Sequence, residues 1–172
     1  LDIVKAVLDE IRERNIPLIN PYEAHFYEIS KFLAAKTLEK FNLPSPEIYD
    51  CFESANQPNF RNIKYPCILK PNCGGRTNYT YIIHDEEELR DALNSIDLNI
   101  EFIVEQFVEP VKGYITRIEV IGGECYSILK RTVTDGGLSA YNLGSKYLDY
   151  DDCPDEIRQA AKDTMKHLKI DM

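Results

Sequence analysis

Two β-rich runs, 113–121 and 124–134, meet at Gly122-Gly123, and no other feature constrains the fold of this 172-residue chain as strongly. A pair of glycines between two such runs is the signature of a tight hairpin, because both tolerate the positive φ that its turn needs. At least one sheet is therefore antiparallel. If the turn uses these two residues alone, positions that share a face sum to 245, so Arg117 lies with Lys130, and Arg131 with Ile118, Val120 and Leu129. A one-residue bulge would instead bring Arg131 to the Arg117 face.

The rest of the chain is read by period. Apolar residues Ile3, Val4, Val7, Leu8 and Ile11 recur at helical spacing over 2–15, which predicts an amphipathic helix covering something on one side. Residues 16–19 read as a short strand. A second helical pattern over 30–41 runs through Phe32, Leu33, Ala34, Leu38 and Phe41, and Leu43-Pro44-Ser45-Pro46 halts it. Beyond that break the segments are short and strand-like, at 47–51, 65–70 and 79–83. Asp85 with Glu88 forms a capping-box pattern that opens a helix through Leu89, Leu93 and Ile96. A strongly apolar strand follows at 100–108. Pro154 suits a first helical turn, and Ile157, Ala160, Ala161, Met165 and Leu168 make an apolar face behind it. The order is α+β without regular β-α-β alternation, and neither G-x-G-x-x-G nor G-x-x-x-x-G-K-[ST] occurs.

Charge and cysteine usage narrow the function. Asp plus Glu number 29 against 20 for Lys plus Arg, so a net charge of −9 repels polyanions, and no nucleic-acid partner is expected. Any phosphate ligand needs a local basic pocket. No apolar run reaches the roughly 18 residues of a membrane span, and the N-terminus lacks a signal-peptide layout, so no membrane partner is expected and the cytoplasm is the expected compartment. Five scattered cysteines suggest neither a disulfide framework nor a zinc knuckle. The three histidines share no metal-ligand spacing, no metal-binding residue is assigned, and no nucleophile motif supports a hydrolase. Both ends, Leu1 and Met172, read as cuts within a longer protein.

The stretch 65–76 carries the most chemistry. A strand delivers Lys70 to its end, directly before Gly74 and Gly75, whose amides can approach an anion, and before Arg76. That is the physics of a phosphate clamp. A solvated strand end with a glycine turn would show the same residues.

The run YPCILKP with its Gly-Gly-Arg loop, then DEEELRDAL, then FIVEQFVEP, then TRIEVIGGECYSILKR, in this order, resembles the ATP-grasp superfamily, and within it the RimK-like carboxylate–amine ligases. The resemblance implies an α+β fold of two subdomains, with ATP bound between two antiparallel sheets and Mg2+ near the phosphates. It assigns 1–29 to the end of a preceding domain and a linker. Residues 30–110 become the small lid subdomain with its helical lead-in, and 111–172 an incomplete C-terminal subdomain.

Carried over residue by residue, Lys31 matches the family's first nucleotide lysine, with Ser30 where an aspartate is usual, and Lys70 matches the second, on the phosphates. Gly74, Gly75 and Arg76 match the lid, which here is shorter and poorer in glycine. Glu105, Gln106, Phe107 and Val108 match the adenine-binding hinge, although Glu105 also reads as a charge at a strand terminus. Ile115 stands where the family has an acid for the ribose, and Glu109 is a substitute. Arg117 and Arg131 match hairpin arginines that act in catalysis, and Asn142 lies one residue from a family asparagine. The acids between 149 and 156 read as a solvated loop at a helix start. The family's magnesium ligands and Glu-x-Asn motif fall after Met172.

The resemblance implies an ATP-dependent ligase that activates a carboxylate as an acyl phosphate and joins it to an amine. Its substrates would be a small-molecule or peptide carboxylate and an amine, and association into a homo-oligomer stays open. A non-catalytic or degenerate nucleotide-binding module is the alternative, and a different ATP-grasp chemistry a third.

Overall fold

The computed structural model describes residues 2–53, 56–75, 77–96, 99–110 and 112–171, which fall into two compact units, Ile29–Glu109 and Leu1–Glu28 with Pro110–Met172. In the first, strands β1 (Ile48–Glu53), β2 (Cys67–Pro71), β3 (Tyr81–Ile83) and β4 (Glu101–Gln106) form an antiparallel sheet ordered β1-β4-β2-β3. Strand β4 is central, and Phe102, Ile103 and Val104 are all fully buried. A strand covered on both faces reads as consecutive apolar residues without alternation, as Phe102-Ile103-Val104 does at the middle of β4. Leu69 and Val104 face each other across β2 and β4, and with Phe52, Cys67, Phe102 and Leu89 they make the core.

Helix α3 (Lys31–Lys40) starts where Ser30 Oγ accepts the Leu33 N–H at 3.3 Å, and it ends at Phe41 before the Pro44-Ser45-Pro46 break. Helix α4 (Glu86–Ser95) opens on the expected box: Asp85 Oδ1 accepts the Glu88 N–H at 2.9 Å. Glu88 Oε2 answers by accepting the His84 N–H at 2.7 Å, one residue before the usual partner. Replacing Asp85 by alanine orphans one helix-start donor and is expected to lower the unfolding free energy by about 1 kcal/mol in urea titration. No loss would mean that the cap carries none of the helix.

The second unit contains α1 (Asp2–Glu13), α2 (Tyr22–Ile29), a three-stranded antiparallel sheet of β5 (Tyr114–Ile121), β6 (Glu124–Thr132) and β7 (Tyr147–Asp149), and α5 (Asp155–Leu168). Gly122 and Gly123 turn with φ 57° and 79°, as the hairpin requires. The register then shifts. Val120 faces Cys125 but Glu119 faces Ser127, leaving Tyr126 as the extra, exposed residue of a bulge. Past it, Ile115 faces Arg131 and Arg117 faces Leu129, so the bulged register holds and both arginines share a face. Buried Val120 and its partner Cys125, whose Sγ lies 3.8 Å from Arg158 O of α5, belong to the opposite face.

Residues 16–19 are not a strand. Asn15 takes φ 53° and the Ile16 N–H returns to Ile11 O at 3.1 Å, a left-handed cap that closes α1, and Pro17 has no N–H for a ladder. On α1 Leu8 is buried while Ile3 and Val7 are exposed. Asp155 and Glu156 lie in the first turn of α5, as read from the sequence. Among the described residues no helix is long and apolar enough to cross a membrane.

Candidate functional site

Strand alternation sets the first half of the site. Leu69 enters the core, so Ile68 and Lys70 point to the other face, where Glu105 lies opposite Ile68. Lys70 and Glu105 are thus diagonal neighbours on one face, and Lys70 Nζ pairs with Glu105 Oε1. Both side chains are largely sequestered, at 22% and 11% exposed. The Glu105 carboxylate is therefore engaged by a lysine, not left free at a strand end.

Lys31, the first residue of α3, reaches the same loop. Its Nζ donates to Pro71 O at 2.8 Å, Asn72 O at 3.2 Å and Gly74 O at 2.7 Å. An ammonium has three N–H groups, so all of them are spent on the carbonyls at the end of β2 and just after it. Burial first, and then repulsion from Lys70, lower its pKa, against opposing effects of Cys73 and Glu105. Gly74 has φ 99°, a conformation that favours glycine, and a Cβ at either Gly74 or Gly75 would meet open space. Arg76 lies outside the described residues.

The hinge segment is partly committed. The Gln106 N–H donates to Glu47 O at 2.8 Å, so it is not free to read a ligand edge, whereas Phe107 is half-buried and Val108 exposed just beyond the strand. At Cys51, on the face shared with Ile103, burial first, and then the Glu101 carboxylate, push the thiol up to about 12, which disfavours the thiolate.

In the other unit, Arg117 is exposed and its guanidinium donates to Glu119 on the same strand at 3.1 Å. Arg131 is half-buried, and its Nε donates to Ser139 Oγ at 2.9 Å, while Ser139 donates in turn to Thr132 O at 3.0 Å. Lys130 belongs to the opposite face, where its ammonium sits 4.1 Å from the Tyr150 ring centroid and 5.1 Å from that of Tyr114. The hydrogen bond shared with Tyr114, followed by burial, raises the Tyr150 phenol to about 12. Asn142 lies in a single 3-10 turn, Tyr141–Leu143.

The profile of the RimK-like ATP-grasp domain matches residues 30–170. The chain belongs to this family. It is similar to the D-alanine–D-alanine ligase of Pediococcus pentosaceus, 32% identical over 114 residues, which cover 60% of this chain and 32% of that protein. It is similar also to human N-acetylaspartylglutamate synthase A, 23% identical over 78% of this chain and 35% of that protein. In fold it is similar to the D-alanine–D-alanine ligase of Bacillus anthracis, with a TM-score of 0.72 and 19% identity over 95% of this chain and 56% of that one. This RimK-like chain thus spans about a third of the length of the two sequence relatives.

Within the RimK-like unit Ile29–Glu109, the structure gathers Lys31, Lys70, Gly74 and Glu105 at the end of β2. In the other unit it places Arg117 and Arg131 on one face. Sequence reasoning passed over Asn72 and Ser139. The signal for Asn72 was present, an asparagine directly after the Lys-Pro that ends a strand. Ser139 carries no such signal, because its link to Arg131 depends on how the loop after β6 returns. The described residues hold no group of three His, Cys, Asp or Glu side chains able to cage a metal ion.

Proposed function

We propose that this RimK-like chain is the nucleotide-binding part of an ATP-dependent ligase that joins a small or peptide carboxylate to an amine. The observation that carries the reading is the pair of lysines, Lys31 and Lys70, brought to the glycine loop at the end of β2 in a chain whose net charge is −9. In an acidic protein a local concentration of cations beside glycine backbone amides is the chemistry that a polyphosphate selects. ATP as substrate supplies the γ-phosphoryl group, which passes to the carboxylate oxygen with release of ADP, and the amine then displaces inorganic phosphate to form the amide. On this reading Lys70 neutralises phosphate charge, Lys31 holds the loop in shape, and Arg117 with Arg131 stabilise negative charge as it develops. Glu105 orients Lys70, and Phe107 and Val108 flank the adenine.

Magnesium is proposed as the companion of ATP, because Mg2+ is commonly held by one or two carboxylates together with substrate phosphates. The described residues do not fit a protein cage for it, and no step here depends on one. The cytoplasm is the proposed compartment, in keeping with five free cysteines.

Isothermal titration of the full-length protein with a non-hydrolysable ATP analogue, followed by ADP release with candidate carboxylates and amines, tests the reading. ATP is expected to bind at least about tenfold tighter than GTP, since guanine places an acceptor where adenine places a donor. Equal affinity would make the 105–108 segment a core strand and nothing more. Binding without ADP release under any substrate pair would favour the non-catalytic module.

A further inference from the structure

Asn72 is 2% exposed and joins three elements. Its Oδ1 accepts the Phe32 N–H at 2.8 Å, and its Nδ2 donates to Glu101 Oε2. Ser30 Oγ lies 3.2 Å from Oδ1 and 3.1 Å from Nδ2. The amide orientation follows from these partners, since a backbone donor faces the oxygen and a carboxylate faces the nitrogen. Its backbone is equally committed: its N–H donates to Glu101 O at 2.9 Å, and its O accepts the Lys31 N–H at 3.1 Å.

The start of α3 is thereby closed. A helix leaves its first N–H groups without partners. Here Asn72 O takes that of Lys31, Asn72 Oδ1 that of Phe32, and Ser30 Oγ that of Leu33. The N–H groups of Lys31, Phe32 and Leu33 are thus engaged within the fold, as is the Lys31 ammonium on the carbonyls of Pro71, Asn72 and Gly74. Asn72 also stands two residues beyond Lys70. It fixes the strand end that carries one lysine to the helix start that carries the other.

We infer that Asn72 is a positioning residue for nucleotide binding, holding Lys31 and Lys70 in register at the glycine loop through its paired contacts with Phe32 N–H and Glu101. The inference rests on the ATP-ligase reading and deepens it. A positioning role acts on the phosphate end of the ligand and leaves the base end alone. Asn72→Ala in the full-length protein is expected to weaken ATP about tenfold while changing adenosine affinity by less than about twofold. Asn72→Asp keeps the oxygen facing Phe32 but sets two carboxylates against each other at Glu101, and it should weaken ATP at least as much. Asn72→Asp combined with Glu101→Gln exchanges donor and acceptor across the same contact and preserves the local charge, so it is expected to restore ATP affinity to within about threefold of the parent. A ligand-free measurement accompanies these: amide hydrogen exchange at Phe32 should quicken by about tenfold or more in Asn72→Ala, with Leu33, capped by Ser30, less affected.

Equal losses for ATP and adenosine, or a double variant no better than Asn72→Asp, overturn the inference. So does an unchanged ATP affinity in a folded Asn72→Ala. A parent protein that binds no ATP overturns the ligase reading instead, and unchanged exchange at Phe32 would then remove the capping role as well.

Discussion

Replacing Lys70 by alanine is expected to weaken ATP binding by the full-length protein about tenfold or more at neutral pH. One charge-assisted contact to a phosphate contributes about 1.5–3 kcal/mol, and 1.4 kcal/mol is a decade in affinity. The structure adds a second effect. Lys70 is the ion-pair partner of Glu105, whose side chain is 11% exposed, so the alanine variant leaves a sequestered carboxylate without its counter-ion. The variant then loses attraction for polyphosphate and gains repulsion, and it loses stability too. Lys70→Ala with Glu105→Gln separates these effects: stability should recover toward the parent while ATP affinity stays depressed. Circular dichroism confirms the fold, and calorimetry reads the binding. If the double variant binds ATP as the parent does, Lys70 serves only to neutralise Glu105, and the phosphate-clamp reading fails.

The fold was legible wherever local chemistry and tertiary environment agree. The Gly122-Gly123 turn, the Asp85 cap, the Pro44-Ser45-Pro46 break and the apolar run of β4 each force one local outcome, and each appears where the sequence places it. Two elements lacked such a signal. Helix α2 buries only Ala24, so its residues show no apolar stripe, and β7 is three exposed residues whose existence depends on pairing with β6. The site divides in the same way. Lys70 was readable because β alternation and the glycine loop fix both its face and its place at a strand end. The use of Lys31 was not, because its partners are backbone carbonyls some 40 residues away in sequence, as the Pro71 contact is. Composition says nothing of where such carbonyls converge. The hairpin register sits between these cases, since one unpaired residue, Tyr126, decides which face receives Arg131, and a two-residue turn does not foretell it.

That register sets the expectation for Arg131. Its guanidinium is on the Arg117 face and is oriented by Ser139 at 2.9 Å, so it is held in place before any substrate arrives. A preorganised donor of this kind matters most when charge develops, because only interactions strengthened in the transition state raise turnover. Arg131→Ala in an active full-length protein should therefore lower kcat by roughly 100-fold or more while ATP affinity changes by no more than about threefold. Ser139→Ala keeps the cation and removes its orienting partner, so its loss should be smaller and also confined to kcat. Lys130 supplies the internal comparison: it stands one residue away but packs against the rings of Tyr114 and Tyr150 on the opposite face, so Lys130→Ala should cost stability and leave kcat within a few-fold. A loss of ATP affinity alone in Arg131→Ala would make this arginine a ground-state phosphate ligand. If Lys130→Ala abolished turnover in a folded protein while Arg131→Ala did not, the strict two-residue register would be the functional one and the bulge assignment would be wrong.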